Sequence, residues 1–239
     1  MQIRESVAVV TGANRGIGAE FVRQLLERGA TTVYAGARDA SAIAVDDPRV
    51  VPVTLDVTDP DQVAAVAALA TDATLVVNNA GIAAPVPLVT GDLADIRSQL
   101  ETNAFGPLHM ARAFAPTLAA AGGGAILNVL SASSWVAFPG GTTYGVSKAA
   151  AWSLTDGLRN ELAEQGTQVV ALHMGLVDTD MSRSLPGDRI PVSQVVTAAL
   201  DGLERGDAEV LADEPAKVAK ASLALEPTAR YAQLLAAFA

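Results

Sequence analysis

Short apolar runs, most of them β-branched, alternate along the chain with longer stretches in which apolar residues recur at helical spacing. Helices are predicted near 17–28, 60–69, 92–119, 144–165, 193–205 and 215–237. The runs predicted as strands are Val7–Val10, Thr32–Ala35, Val50–Leu55, Leu75–Val77, Ala125–Leu130, Val169–His173 and Glu209–Leu211. Because continuously apolar strands are buried on both faces, the alternation predicts a doubly wound α/β sheet of about seven parallel strands. No linker or repeat interrupts it, so one domain is expected over residues 1–239.

Composition narrows the classes of function. The 239 residues include no cysteine, which excludes disulfides and thiolate metal sites. The formal charge is −10 without a basic tract, so neither nucleic acid nor an anionic membrane is expected as a partner. The amino terminus has no signal-peptide layout, and no apolar run approaches the roughly 18 residues of a membrane span. These features predict a soluble, cytoplasmic protein.

A glycine-rich turn, Thr11-Gly12-Ala13-Asn14-Arg15-Gly16-Ile17-Gly18, joins the first predicted strand to the first helix. Glycines let backbone amides approach a pyrophosphate, and the helix amino terminus favours its negative charge. The spacing differs from the usual G-x-G-x-x-G, and such a turn also serves as a tight connection. Its place after the first strand of an α/β series favours a nucleotide site.

Tyr144 and Lys148 lie four residues apart in a predicted helix and therefore share one face. A cation beside a tyrosine lowers the pKa of the phenol, which makes a general acid for carbonyl chemistry. The same spacing also occurs on ordinary helix surfaces, so the rest of the chain decides between the two interpretations.

Several motifs occur in order along nearly the whole length: Thr11-Gly12-x3-Gly16-x-Gly18, Leu55-Asp56-Val57, Asn78-Asn79-Ala80-Gly81, Asn103, Ser131 and Tyr144-x3-Lys148. In these the chain resembles the short-chain dehydrogenase/reductase family, in its short, single-domain, NADP-preferring branch. The resemblance implies a Rossmann-like fold. It also implies an oxidoreductase that reduces a ketone or aldehyde to an alcohol, reversibly, with NADPH. A non-catalytic NADP(H)-binding sensor of the same fold is the alternative.

The resemblance assigns the catalytic roles. Ser131 would hold and polarise the substrate carbonyl, and Tyr144 would donate the proton to its oxygen. Lys148 would hold the nicotinamide ribose and lower the pKa of the tyrosine, and Asn103 would anchor a water that relays protons to Lys148. Chemistry alone does not choose among Ser131, Ser133 and Ser134. Residues 128–144 align with the family's pattern without a gap, and this alignment places the family's catalytic serine at Ser131.

Cofactor preference depends on the end of the second strand. Ala37 stands where NAD-binding relatives carry an acidic residue, and Arg38 follows it. With Arg15, it would surround a 2′-phosphate, because guanidinium groups bind phosphate in a bidentate manner. Alternatively, Arg38 is a solvated loop residue and Asp39 binds the ribose.

The resemblance implies a larger set of cofactor-binding residues: Gly12, Asn14, Arg15, Gly16, Ile17, Gly18, Arg38, Asp56, Val57, Asn79, Ala80, Gly81, Tyr144, Lys148, Gly175, Val177 and Thr179. Asp56 also suits the capping of the next turn, and Asn79 also suits a structural role at the centre of the sheet. Met174 replaces the proline that relatives usually carry before Gly175, which puts the geometry of that turn in question.

An apolar substrate pocket is expected beside the catalytic residues. Besides Ser131 and Tyr144, its candidate residues are Trp135, Val136, Phe138, Met181 and Leu185, although each also suits ordinary packing or an interface. Arg183 would attract an acidic substrate or remain a solvated loop charge. We expect an apolar carbonyl compound.

The remaining features are structural or concern assembly. His109 and His173 have no metal-ligand spacing and are expected to be structural, with no metal bound. The carboxyl-terminal stretch is apolar, with Leu223, Leu225, Tyr231, Leu234, Leu235 and Phe238. It needs burial, against the chain's own sheet or in a homodimer or homotetramer, and we expect a homo-oligomer.

Overall fold

A single parallel sheet forms the centre of the computed structural model, which describes residues 1–138 and 140–237. Its strands are β1 (Val7–Thr11), β2 (Thr32–Ala37), β3 (Val50–Thr54), β4 (Leu75–Asn78), β5 (Ala125–Val129), β6 (Gln168–His173) and β7 (Glu209–Leu211). The spatial order is β3-β2-β1-β4-β5-β6-β7, so the winding reverses between β1 and β4. The predicted Rossmann-like, doubly wound fold is confirmed, and ligands of such folds bind beyond the carboxyl ends of the strands.

Helices cover both faces of the sheet. They are α1 (Gly16–Glu27), α2 (Pro60–Leu69), α3 (Leu93–Leu100), α4 (Gly106–Ala120), α5 (Thr142–Glu161), α6 (Val192–Arg205), α7 (Glu214–Ala221) and α8 (Pro227–Ala237). On one face, Phe21 of α1 and Leu200 of α6 are fully buried against the strands. On the other, Phe114 of α4 is fully buried, and Val66 of α2 is nearly so. Burial of a large apolar side chain of this kind contributes about 1.5–3 kcal/mol.

The helix predicted over 92–119 is in fact two helices. Between α3 and α4 lies a π-helical turn, Glu101–Phe105, in which the Gly106 N–H donates to the Glu101 carbonyl. Pro107 explains part of this break, because it has no N–H to donate to the carbonyl of Asn103 four residues earlier. The irregular turn lies next to the predicted site, as such turns frequently do.

The helix predicted over 215–237 is also divided. A short 3₁₀ turn, Ser222–Ala224, ends the first half, and α8 begins at Pro227. Proline disfavours a helical conformation in the residue before it and suits the first position of a helix. The carboxylate of Glu226 accepts hydrogen bonds from the N–H groups of Thr228 and Ala229, which gives α8 its own start.

Over the described ranges, the structure contains no helix with the length and apolar character needed to cross a membrane.

Candidate active site

An open cleft of about 1810 Å³ lies beyond the carboxyl ends of β1, β4, β5 and β6. Its wall includes most of the residues that the sequence predicted. They are Gly12, Asn14, Arg15, Gly16, Ile17, Arg38, Asp56, Val57, Asn79, Ala80, Gly81, Ser131, Val136, Phe138, Tyr144, Lys148, Gly175, Val177, Thr179, Met181 and Leu185. Gly18, Asn103 and Trp135 do not line it. One end of the cleft, the cofactor end, is formed by the glycine-rich turn and the ends of β2 and β3. The other, the substrate end, lies beyond Tyr144.

The glycine-rich turn is held by backbone geometry. Gly12 has a φ of +64°, in the left-handed region that favours glycine. Gly18 lies behind the turn, where a Cβ would be 2.1 Å from the Gly12 carbonyl oxygen. The absence of a side chain at Gly18 therefore lets α1 begin directly under the turn.

Polar side chains lock β1 to β4 at the same place. The Asn79 amide donates to the carbonyls of Thr11 (2.9 Å) and Gly12 (3.1 Å). The Thr11 hydroxyl accepts from the N–H groups of Asn79 (3.0 Å) and Ala80 (2.9 Å). The structural interpretation of Asn79 thus has direct support, while its backbone remains on the cleft wall.

At the ends of β2 and β3, acidic residues make local bonds. The Asp39 carboxylate accepts from the N–H of Ser41 (3.0 Å) and from its hydroxyl (2.7 Å), and these bonds lower the pKa of Asp39. Asp56 accepts in the same way from Thr58, at 2.9 and 2.7 Å, so it caps its turn as well as lining the cleft. Arg38 follows Ala37 at the end of β2, and its side chain is exposed at the cleft wall.

Ser131, Tyr144 and Lys148 come together at the middle of the cleft. Ser131 follows β5 and hydrogen-bonds to the Tyr144 phenol, while its hydroxyl oxygen also accepts from the N–H of Ser133 at 3.0 Å. Lys148 lies one turn beyond Tyr144 on α5, with its Nζ 5.7 Å from the centre of the tyrosine ring. The same Nζ donates to the Val129 carbonyl at 2.7 Å. Ser133 is also on the cleft wall, whereas Ser134 is buried.

Burial determines the protonation of this group. It lowers the pKa of Lys148 to about 8. It raises the pKa of Tyr144 to about 12, although the hydrogen bond to Ser131 acts in the opposite direction. Burial is the larger of the two causes, so the pKa of the Tyr144 phenol lies above its ordinary value, and the lowering effect of Lys148 stays a prediction.

Asn103 lies in the π-helical turn behind the cleft and is 1% exposed. Its amide donates to the Ile82 carbonyl and to the Ser147 hydroxyl, both at 2.8 Å, and its oxygen accepts from the Ile82 N–H at 2.9 Å. The side chain thus fixes the strand-end loop to α5. Pro107, four residues later, has no N–H to donate to the Asn103 carbonyl.

The substrate end of the cleft is mostly apolar. Phe138, Met181 and Leu185 line it as predicted, and Met181 and Leu185 are 50% and 49% exposed. The prediction for Trp135 is wrong. Its ring is drawn into the core behind the cleft, where it stacks on His173 (3.9 Å between centroids) and meets Trp152 edge-on (5.9 Å).

Two parts of the substrate end were missed from the sequence: the loop 82–85, and Tyr231 and Leu234 of α8. The Tyr231 hydroxyl accepts from the Ala137 N–H at 3.1 Å. Leu234 is 1% exposed and packs with Val136. The apolar pattern of the carboxyl-terminal stretch was the available signal. The Leu235 side chain and Phe238 lie outside the described part of the chain.

The loop after β6 completes the wall. The Gly175 N–H donates to the Asp213 carboxylate at 2.8 Å, which ties the turn containing Met174 to α7. Thr179 faces the glycine-rich turn, with its Cγ2 3.4 Å from a Cβ placed on Gly16. Replacement of the usual proline by Met174 thus leaves Thr179 beside Gly16.

The remaining charged and metal-binding candidates have local roles. Arg183 pairs with Asp180 on its own loop and is not on the cleft wall. His109 bonds through Nδ1 to the Val57 carbonyl at 3.0 Å. Within residues 1–138 and 140–237, no group of three or more acidic or histidine side chains is arranged to hold a metal ion.

Known proteins resemble this chain in both sequence and fold. The family model for short chain dehydrogenases matches residues 6–189. A solved short chain dehydrogenase from Burkholderia cenocepacia J2315, in complex with NADP, is 44% identical, with a TM-score of 0.94 and coverage of 98% of this chain and 99% of that chain. The NADPH-bound carbonyl reductase from chicken fatty liver is 32% identical, with a TM-score of 0.79 and coverage of 87% and 96%.

Sequence relatives agree with the structural ones. An uncharacterized oxidoreductase of Staphylococcus aureus strain N315 is 32% identical over 198 residues, which are 78% of this chain and 85% of the relative. The chain belongs to the short-chain dehydrogenase/reductase family and is an oxidoreductase.

Proposed function

We propose that the protein is an NADP(H)-dependent carbonyl reductase, working reversibly, with Tyr144 as the general acid and base. The observation that carries this proposal is the convergence of Ser131, Tyr144 and Lys148 on one cleft wall, beside the glycine-rich turn. NADPH, when bound, supplies the hydride for the carbonyl carbon. The residues of the chain place the carbonyl and deliver the proton.

The proton path follows from the hydrogen bonds. When the substrate enters, the bond between the Ser131 hydroxyl and the Tyr144 phenol would be exchanged, so that each group donates its one proton to the carbonyl oxygen and stabilises the charge that develops there. Tyr144 then gives its proton to that oxygen. Lys148, as a buried cation 5.7 Å from the ring centre, would stabilise the phenolate that remains until a proton returns through a water held at Asn103.

NADP(H) is favoured over NAD(H) by the surroundings of the adenosine ribose. Arg38 is exposed at the cleft wall, and Arg15, on the glycine-rich turn, is exposed on the same wall. The acidic alternative, Asp39, already accepts two hydrogen bonds from Ser41. The Gly18 position, which has no room for a Cβ, suits a backbone cradle for the pyrophosphate. The NADP and NADPH complexes of the relatives support the same choice.

An uncharged apolar carbonyl compound is the substrate class that fits. The cations on the described cleft wall are Arg15 and Arg38 at the cofactor end and Lys148 at the centre. The substrate end presents Phe138, Met181 and Leu185. A carboxylate there would be desolvated without a partner, which is costly.

The deciding experiment follows the absorbance of NADPH with matched neutral ketones and keto acids. Tyr144→Phe should lower kcat by about 10²–10⁴-fold while NADPH binding is retained, because only the acid is removed. Tyr34→Phe, on β2 and outside the cleft wall, is the matched control and should remain active. Full activity of Tyr144→Phe would refute the mechanism. NADPH binding without turnover of any carbonyl would favour the non-catalytic sensor.

Cofactor preference has its own test. Arg38→Asp should weaken NADPH relative to NADH by about 10–100-fold, since charged hydrogen bonds contribute about 1.5–3 kcal/mol. Arg112→Asp, the same charge change on an exposed residue of α4, should leave the preference unchanged. An unaltered ratio in Arg38→Asp would contradict the assignment of NADP(H).

We also propose a single domain that forms a homodimer or homotetramer. Apolar side chains are exposed on neighbouring helices and turns, among them Leu93, Phe105 and Val146. Light scattering should show a dimer or tetramer, and thermal unfolding should show one transition for the chain. A monomer would contradict the assembly proposal without affecting the chemistry.

A further inference from the structure

His173, the last residue of β6, is fully buried and lies directly behind the catalytic serine. Its Nδ1 is 3.0 Å from the backbone carbonyl oxygen of Ser131. A carbonyl can only accept, so Nδ1 must carry the proton in this hydrogen bond. The histidine is not on the cleft wall and touches neither the substrate end nor the cofactor end.

The same ring holds the other end of the loop that follows β5. It stacks on Trp135 at 3.9 Å with an interplanar angle of 19°. Next to it, the Ala132 N–H donates to the Met174 carbonyl at 2.8 Å. The segment 131–135 is therefore attached to the end of β6 at Ser131, Ala132 and Trp135, and two of these three contacts belong to His173.

The ring is neutral in this environment. Burial lowers the pKa of His173 to about 4. Its Nε2 has no hydrogen-bond partner among the described residues, and the nearest carboxylate oxygen, Oε1 of Glu209, is 3.8 Å away. The hydrogen bond to Ser131 is thus the polar contact that the structure gives to this side chain.

We propose, resting on the carbonyl reductase assignment above, that His173 is a positioning residue that holds Ser131 in register with Tyr144. Two bonds define the backbone at Ser131: one from His173, and one from the Ser134 N–H to the same carbonyl at 3.0 Å. Without the first, Ser131 can rotate away from the tyrosine while the glycine-rich turn remains intact. His173 therefore affects kcat and leaves NADPH binding unchanged.

Two amide variants of His173 test where the hydrogen-bond donor must lie. In His173→Asn the amide nitrogen replaces Nδ1, whereas in His173→Gln the longer side chain moves it toward the place of Nε2. His173→Leu has a similar size and no donor. All three remove the titratable group, so they separate placement of the donor from charge and polarity.

The test measures kcat and KM for a neutral ketone, NADPH affinity by fluorescence, and thermal unfolding. His173→Leu and His173→Gln should lower kcat by about 10–100-fold, the range expected for a displaced reacting group, with NADPH affinity within about twofold of the parent. His173→Asn should recover most of kcat. If His173→Leu does not fold, the contrast between Asn and Gln still decides.

Equal kcat in the Asn and Gln variants would overturn the proposal, as would a parallel loss of NADPH affinity and kcat, which indicates general disruption. These results differ from a failure of the reductase assignment, in which the unmodified protein itself turns over no carbonyl compound. Ser131→Ala combined with His173→Leu should be no slower than Ser131→Ala alone, because the histidine acts only through that serine.

Discussion

The two ends of the cleft are built differently. At the cofactor end, backbone and short polar side chains are fixed to one another: Asn79 bonds the turn carbonyls, and Gly18 lies against Gly12. At the substrate end the wall consists of apolar side chains from loops and a terminal helix, and Met181 and Leu185 are about half exposed. An added methyl group should therefore disturb the structure strongly at the cofactor end and only slightly at the substrate end.

This difference separates what the fold requires from what it leaves adjustable. The cofactor end is assembled where β1 and β4 diverge, so its geometry follows from the sheet. The substrate end depends on side chains such as Tyr231, which contacts Ala137 from α8. We infer that substitutions at the cofactor end change whether the protein reacts, and that those at the substrate end change what it reacts with.

The largest effect on the cofactor end is expected from Gly18→Ala. The added Cβ would lie 2.1 Å from the Gly12 carbonyl oxygen, a backbone atom that cannot move without shifting the turn. Overpacking of this kind costs about 1–3 kcal/mol, and displacement of the turn should weaken NADPH by up to about 100-fold. Titration of NADPH fluorescence measures the loss.

Gly157→Ala is the matched control for this change. Gly157 lies in α5, and a Cβ there meets nothing within 4 Å. Alanine is favoured over glycine in a helix, so the variant should be more stable by about 0.5–1 kcal/mol, with NADPH binding unchanged. Normal NADPH binding in Gly18→Ala would show that the cofactor end is not rigid.

The sequence predicted the cofactor end better than the substrate end for physical reasons. A glycine-rich turn between a strand and a helix is a local pattern, and the strand bounds were right to within about two residues. Trp135 was misplaced because its partners, Trp152 and His173, lie far along the chain. Its apolar character is the same whether it lines a pocket or a core.

The division of two predicted helices was visible in principle. Pro107 and Pro227 each remove a helical donor or restrict the preceding residue, but an amphipathic pattern continues across both.

The pKa of Tyr144 could not be predicted from the sequence in the same way. Spacing shows that Lys148 is near, whereas the balance between its charge and burial depends on the surrounding walls.

The dependence of kcat/KM on pH tests Tyr144 and Lys148, which lie at the centre of the cleft between its two ends. Lys148 has a pKa of about 8, and Tyr144, at about 12, stays protonated well above that. In the proposed mechanism reduction requires the charged lysine, so kcat/KM should fall about tenfold per pH unit as the pH rises above about 8, since this ratio reports the free enzyme. Lys148→Arg, whose cation does not titrate in this range, should remove the decline. A profile that stays flat to about pH 10 would contradict the effect of burial on Lys148.

The smallest expected effect comes from an ion pair that joins the two ends. Asp180, on the loop after β6, contacts Arg15 of the glycine-rich turn at 2.7 Å and also pairs with Arg183. If Arg15 binds the 2′-phosphate, Asp180 competes for it. Asp180→Asn should then strengthen NADPH up to about fivefold without changing NADH, because exposed pairs contribute about 0–1 kcal/mol.

Salt and a second aspartate distinguish this competition from a general charge effect. Asp188 lies on the same cleft wall, and the described residues form no ion pair with it, so Asp188→Asn makes the same charge change without freeing Arg15. Its NADPH affinity should change less than that of Asp180→Asn. High salt should reduce the Asp180→Asn gain, since both partners are exposed and screened. An equal gain in both variants would mean that the cleft responds only to net charge, and that its two ends are not joined through Arg15.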